Sequence, residues 1–433
     1  MRIIMSIQNQ DSTAKKVGKK VYFWVAILYL LFMTDFLCRV GINAIFPTVQ
    51  ADLNLTDQQV GYMGSVVLLA MGICALPISF IADKWSKKKM VTVMSGLWSA
   101  STAVFAFASA FPIMLLGRLG VGVGNAAYAP TATSMVTSWF PKEQWGRILG
   151  IFNTAMPVGS AVGSLVCGAL ATQMGWRSAV GVCAVLSFVT CILSLFIPET
   201  NGKKMKKAAH AVTETAKAAS KITVKDAAKV LLTNKTLVLV CLAAAMFNFA
   251  TGLHQTWNVM WYVREAGLSA AFAASLIGIT GLIGATAYPV GGIIMDKWYP
   301  KDVRSRVWFP AIIYSLKGAL CIFAYMTHNI LIIVACSWIL QLAVSCGHAA
   351  NQELVPERYK AMSYGFYVVF IQLAGAIGPT VGGYFSGIFG LQNMMVGAQC
   401  IYFVSTLFWV LAGIFYLKDY KKAREEEKTG VIV

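Results

Sequence analysis

The chain has little charge. Only 12% of its 433 residues are Asp, Glu, Lys or Arg, against 58% hydrophobic residues. Soluble domains carry about a quarter charged residues, so most of this chain is not composed to meet water. Acids are the scarcer sign, with 18 Asp and Glu against 36 Lys and Arg. Other marks are missing too. There is no GxxxxGK[ST] loop, which excludes ATP drive of the P-loop kind. The ten cysteines form no CxxC pair and no Cys/His cluster; they fall in apolar segments and read as small buried hydrophobes, so neither a disulfide framework nor a metal site is expected. No catalytic constellation stands out, and neither an enzyme nor a cofactor is expected. Residues 1–20 are polar and lack the apolar run of a cleaved leader.

What the sequence does have is long apolar runs. They lie at 21–49, 58–82, 90–110, 112–138, 145–173 and 177–197, then at 235–263, 269–296, 307–327, 329–354, 361–389 and 393–417. About 20 apolar residues cross a bilayer as a helix, so the pattern predicts an all-α membrane protein of twelve transmembrane helices. Its continuity excludes the short alternating strands of a membrane barrel. Along this path, 31 of the 36 Lys and Arg fall on one side, and the other keeps only Arg177 and Arg264. The positive-inside rule then places both termini in the cytoplasm. It also explains the basic balance without nucleic acid. The predicted organisation is a tail (1–20), a six-helix bundle (21–200), an amphipathic Lys/Ala-rich linker on the anionic leaflet (201–234), a second six-helix bundle (235–417) and a tail (418–433). Short loops suit a bacterial inner membrane, and a monomer is expected.

The two bundles repeat each other. "ADKW" at 82–85 recurs as "MDKW" at 295–298. Residues 141–168 match 356–383 at a constant offset, aligning Pro141 with Pro356, Gly150 with Gly365, Gly163 with Gly378 and Gly168 with Gly383. Parallel repeats of this kind place a solute site at their interface, near the bilayer midplane.

Several motifs carry a resemblance. Ser79-x-x-x-Asp83-Lys84 followed by Lys87-Lys88-Lys89, echoed by Gly292-x-x-x-Asp296-Lys297, resembles the loop signature of the major facilitator superfamily. Arg118-x-x-x-Gly122-x-Gly124 resembles its fourth-span signature. "SWFPKEQWGRILG" at 138–150, "GWR" at 175–177, and Arg39 eight residues before Pro47 are similar to its organic-anion branch, which holds sialin-like anion:cation symporters and organophosphate antiporters. The resemblance implies two pseudo-symmetric bundles, alternating access and a small anionic solute moved with a proton or against a counter-anion. The chain departs from the sugar-acid symporters of that branch where they carry acids: Cys38 precedes Arg39, and Asn125 follows the glycine run.

Charges inside the spans are the candidate site. Arg39 and Arg118 are expected to bind the anion, bidentately if it is a carboxylate or phosphate. Asp35, one turn before Arg39, is the candidate proton carrier or a partner that neutralises that arginine. Asn43, Tyr128, His254, Trp257, His348 and Gln372 are candidate polar or aromatic contacts. Asp83, Lys84, Asp296 and Lys297 are the candidate conformational latch. Lys317 is expected to snorkel or pack. Beside symport, three readings stay open: anion or sugar-phosphate exchange, spinster-like export of lysolipids, and solute sensing through the linker.

Overall fold

A computed structural model describes residues 18–141, 144–199, 233–356 and 359–429. Most of the predicted linker, and of the N-terminal tail, lies outside them. The described residues form twelve helical spans, several in two pieces. Span 1 is Lys19–Arg39, a 3-10 turn Gly41–Ile45 and Phe46–Leu53; span 2 is Asp57–Lys84; span 3 is Lys87–Ala106; span 4 is Phe111–Asn125 and Tyr128–Trp139; span 5 is Trp145–Asn153 and Ala155–Met174; span 6 is Trp176–Ser194. Span 7 is Lys235–Arg264; span 8 is Ala270–Ala285 and Ala287–Trp298; span 9 is Ser305–Met326; span 10 is Ile330–Gln341 and Val344–Glu353; span 11 is Lys360–Phe389; span 12 is Leu391–Ala398 and Cys400–Thr429. The last helix therefore runs well into the segment read as a tail.

Ten of the spans are long and apolar enough to cross a membrane by themselves. The exceptions have local causes. Span 3 opens on three lysines and turns Ser95, Ser99 and Thr102 inward, and span 4 buries Arg118 and Asn125. Side chains place the helix starts: Thr56 and Gln59 form a capping box at span 2, and Asn234, Ser269 and Asn329 cap spans 7, 8 and 10. Large apolar side chains such as Phe188, Ile293, Phe323 and Ile414 are exposed around the bundle, as a lipid-facing surface requires.

The repeat is visible in the backbone. Spans 5 and 11 end on Gly175 and Gly390, both at φ 80°, a left-handed conformation that only glycine adopts without cost. The aligned Gly163 and Gly378 mark the same seam in each half: Gly163 lets span 5 touch the Leu37 backbone of span 1, and Gly378 lets span 11 touch the Phe249 backbone of span 7. The halves meet through span 2 against span 11, where a Cβ on Gly61 would lie 2.6 Å from the Pro379 carbonyl oxygen. They also meet through span 5 against span 8, where Gly278 faces the Ala161 backbone.

Among the described residues, the hydrogen bonds that cross between halves are those of Asn43 with Gln255, Ser65 with Thr380, Asp57 with Ser386, and Arg264 with Asp57 and Gln50. All lie at mid-depth or on the face opposite the termini. That face is closed.

Candidate functional site

Span 1 stops being α-helical at Arg39, so its last carbonyls lack amide partners within the helix. Arg118 supplies them. Its Nε donates to the Met63 carbonyl at 3.2 Å, and Nη1 to the carbonyls of Cys38 and Arg39 at 3.4 and 3.3 Å. Nη2 donates to the Arg39 carbonyl at 3.3 Å and to Asn43 Oδ1 at 2.8 Å. The side chain is 1% exposed and lies over the Phe46 ring. The structure thus uses Arg118 to hold the bend of span 1 against spans 2 and 4.

Arg39 is committed far less. Its Nε lies 3.6 Å from Asp35 Oδ1, an ion pair without hydrogen-bond geometry, and Nη1 reaches only the Met71 sulfur at 3.5 Å. Its guanidinium stacks on Phe36, 4.1 Å from the ring centroid. Asp35 Oδ1, Arg39 Nε and both polar atoms of Asn125 are buried without a hydrogen-bond partner. Buried polar groups are almost always satisfied, which sets these atoms of spans 1 and 4 apart from the fully bonded Arg118 between them.

Between the halves lies a cavity of about 180 Å³. The first half contributes Val40, Asn43 and Ala44; the second contributes His254, Gln255, Asn258, Thr280, Lys317, Gln341, Tyr325 and Tyr402. Asn43 and His254 therefore line this cavity. Lys317 stands in the same wall, 3% exposed, rather than snorkelling to an interface. Its Nζ donates to Gln399 Oε1 at 2.9 Å and sits 3.4 Å from the Tyr402 ring centroid.

The other candidates do not line this cavity. Tyr128 is buried and donates to the Leu28 carbonyl at 2.6 Å, tying span 4 to span 1. Trp257 is buried and donates to the Pro379 carbonyl at 3.1 Å, tying span 7 to span 11. His348 packs on Tyr364 and Tyr367 with Nδ1 unpartnered, and Gln372 faces span 2 near Gly72. Asp296 and Lys297 are exposed with no ion pair among the described residues, and the side chains of Asp83 and Lys84 lie outside them.

The closed face carries a network the sequence reading missed. Asp57, at the start of span 2, accepts from Arg264 Nη2 at 2.8 Å, Ser386 Oγ at 2.6 Å and Gln50 Nε2 at 2.7 Å, while Arg264 also donates to Gln50. Nearby, Arg177 pairs with Asp52 at 2.7 Å. A signal did exist: Arg177 and Arg264 lie on that side, and each pairs with an acid at the end of span 1 or the start of span 2.

The chain is similar to known transporters over most of its length. The Hexuronate transporter of Bacillus subtilis is 23% identical over 87% of this chain and 92% of its own length. The Probable galactarate/D-glucarate transporter of the same organism is 25% identical over 91% of this chain and 93% of its own. The inward-facing, unoccupied structure of a bacterial homolog to the human lysosomal transporter Spinster superposes with a TM-score of 0.80 at 18% identity, covering 93% of this chain and 98% of that one. The family model described as Major Facilitator Superfamily matches residues 27–337. Two repeated six-span bundles, a cavity at their seam and this match agree: the chain is a multi-pass membrane protein that belongs to the major facilitator superfamily of transporters.

Proposed function

We propose that the chain is an alternating-access secondary transporter of a small organic anion, of the sugar-acid or carboxylate class. One observation carries the sign of the solute. The charges within the central spans are the part-buried Arg39 and the buried Arg118 and Lys317, against the single acid Asp35. Placing a base in the hydrocarbon region costs at least about 2.5 kcal/mol on insertion scales, and three are kept. An anionic guest offsets the excess. The relatives named for hexuronate and galactarate/D-glucarate support the same class.

Arg39 is the anion's first partner on this reading, because its donors are open while those of Arg118 are engaged. Asp35 beside it takes the proton that drives symport: a protonated Asp35 releases Arg39 to the anion. With both termini in the cytoplasm of a bacterial inner membrane, the closed face is outward, and the protein stands inward-facing. Uptake of labelled galacturonate and galactarate into proteoliposomes, with and without an inward proton gradient, tests the reading. Gradient-driven uptake that Asp35→Asn reduces to exchange supports it. Absence of anion uptake under every gradient sinks it.

Anion exchange is favoured by Cys38 and Asn125, which stand where symporters of the branch carry acids. Its mark is uptake that needs trans anion and ignores pH. Amphiphile export is favoured by a second cavity of about 670 Å³ between spans 1 and 5, lined by Tyr22, Leu30, Ile151 and Arg147. Its mark is lysolipid efflux from the same vesicles.

A further inference from the structure

Lys317 has an unusual setting. A chain of bonds runs through three spans behind it. His254 Nδ1 lies 2.6 Å from the Ala250 carbonyl, so that nitrogen carries the proton. Its Nε2 therefore accepts from Gln399 Nε2 at 2.9 Å. That orients the Gln399 amide, which also donates to Met395 at 2.8 Å, so that its oxygen faces Lys317. His254 is thus a neutral imidazole, and Gln399 is locked as an acceptor. An ammonium has three N–H donors. One goes to Gln399 and one to the face of Tyr402, which leaves one for the cavity that Lys317 lines. No carboxylate pairs with it among the described residues. A methionine would fill the same space without a buried charge, so packing does not account for a lysine.

We propose that Lys317 is the anion-binding residue of the second half, receiving a carboxylate of the transported solute at the cavity wall. The proposal rests on the organic-anion reading and narrows it. Arg39 does not line this cavity but directly precedes Val40, which does; a solute with two anionic ends, one at Lys317 and one reaching past Val40 toward Arg39, engages both halves. The cavity agrees in scale: about 180 Å³ is room for roughly six waters at about 30 Å³ each, a solute of few carbons or one that drives further opening. A dianion held this way bridges the two bundles, so its binding biases their relative position.

The test is direct binding to the purified full-length chain, by calorimetry, with galactarate as dianion and galacturonate as monoanion. The wild type is expected to prefer the dianion. Lys317→Gln should weaken galactarate at least tenfold, and galacturonate by less, so that the preference collapses. Lys317→Arg should restore most of it. Gln399→Glu, nearly isosteric, neutralises Lys317 in place and should reproduce the loss, and it serves if Lys317→Gln is not monodisperse. Damage to the fold would weaken both ligands equally. A Lys317→Gln or Gln399→Glu protein that binds galactarate within twofold of wild type overturns the proposal. A wild type that binds neither anion fails the organic-anion reading itself, which is a different result.

Discussion

Replacing Asp57 by Asn should open the face opposite the termini. Asp57 belongs to the first half and holds Arg264 and Ser386 of the second, with Gln50 closing the ring. The side chains of Arg264 and Asp57 are 33% and 17% exposed, so solvent screens the pair in part. Hydrogen bonds to charged groups contribute about 1.5–3 kcal/mol each when shielded. Asn keeps the shape and some of the bonds but removes the charge, which leaves a net loss of about 2 kcal/mol, or about 30-fold in the balance between closed and open. Spin labels at the exposed Asn54 and Ser269, with exposed Cys400 replaced, report the width of this face. The expected outcome is a new long-distance population in Asp57→Asn that is absent from the parent. An identical distance distribution would refute the reasoning, and with it the role of the ring as a latch.

The remaining expectations are separable by readout. Arg39→Gln should lower anion uptake at least tenfold with little change in melting temperature. Arg118→Gln strips four oxygen acceptors of their donor and should destabilise the fold by at least about 2 kcal/mol, seen as a lower melting temperature before any transport is measured. Gly163→Ala sets a Cβ 2.8 Å from the Leu37 Cα and should destabilise by about 1–3 kcal/mol, whereas Gly150→Ala meets nothing within 4 Å and should leave the melting temperature equal or higher. Trp257→Phe loses its bond to the Pro379 carbonyl and should cost about 1 kcal/mol in thermal stability without altering affinity for an anion.

The architecture is largely legible in the sequence. Apolar runs and the offset repeat are one-dimensional signals, and the matched Gly175 and Gly390 backbones confirm that repeat in three dimensions. The site was legible only as a set of charges. That Arg118 bonds to carbonyls was hidden, because a backbone acceptor carries no residue code. Whether Lys317 snorkels or packs is open in the sequence, because a uniformly apolar span does not tell which face meets its neighbours; span 9 turns that lysine toward spans 7 and 12. The Asp57–Arg264 pair spans a sequence separation of 207 residues, and nothing local links the two. Tyr128 and Trp257, candidate contacts in the sequence, donate to the main-chain oxygens of Leu28 and Pro379, acceptors that carry no residue code.

The bend in span 1 has a consequence for how a guest enters. Arg118 already holds oxygen atoms from its own chain in the positions a carboxylate would occupy. An anion that engages Arg118 must therefore displace the carbonyls of Cys38 and Arg39 and free the bend they anchor. On the organic-anion reading, those carbonyls stand in for the guest. Exchange of that internal ligand for an external one would make arrival of cargo and straightening of the helix a single event.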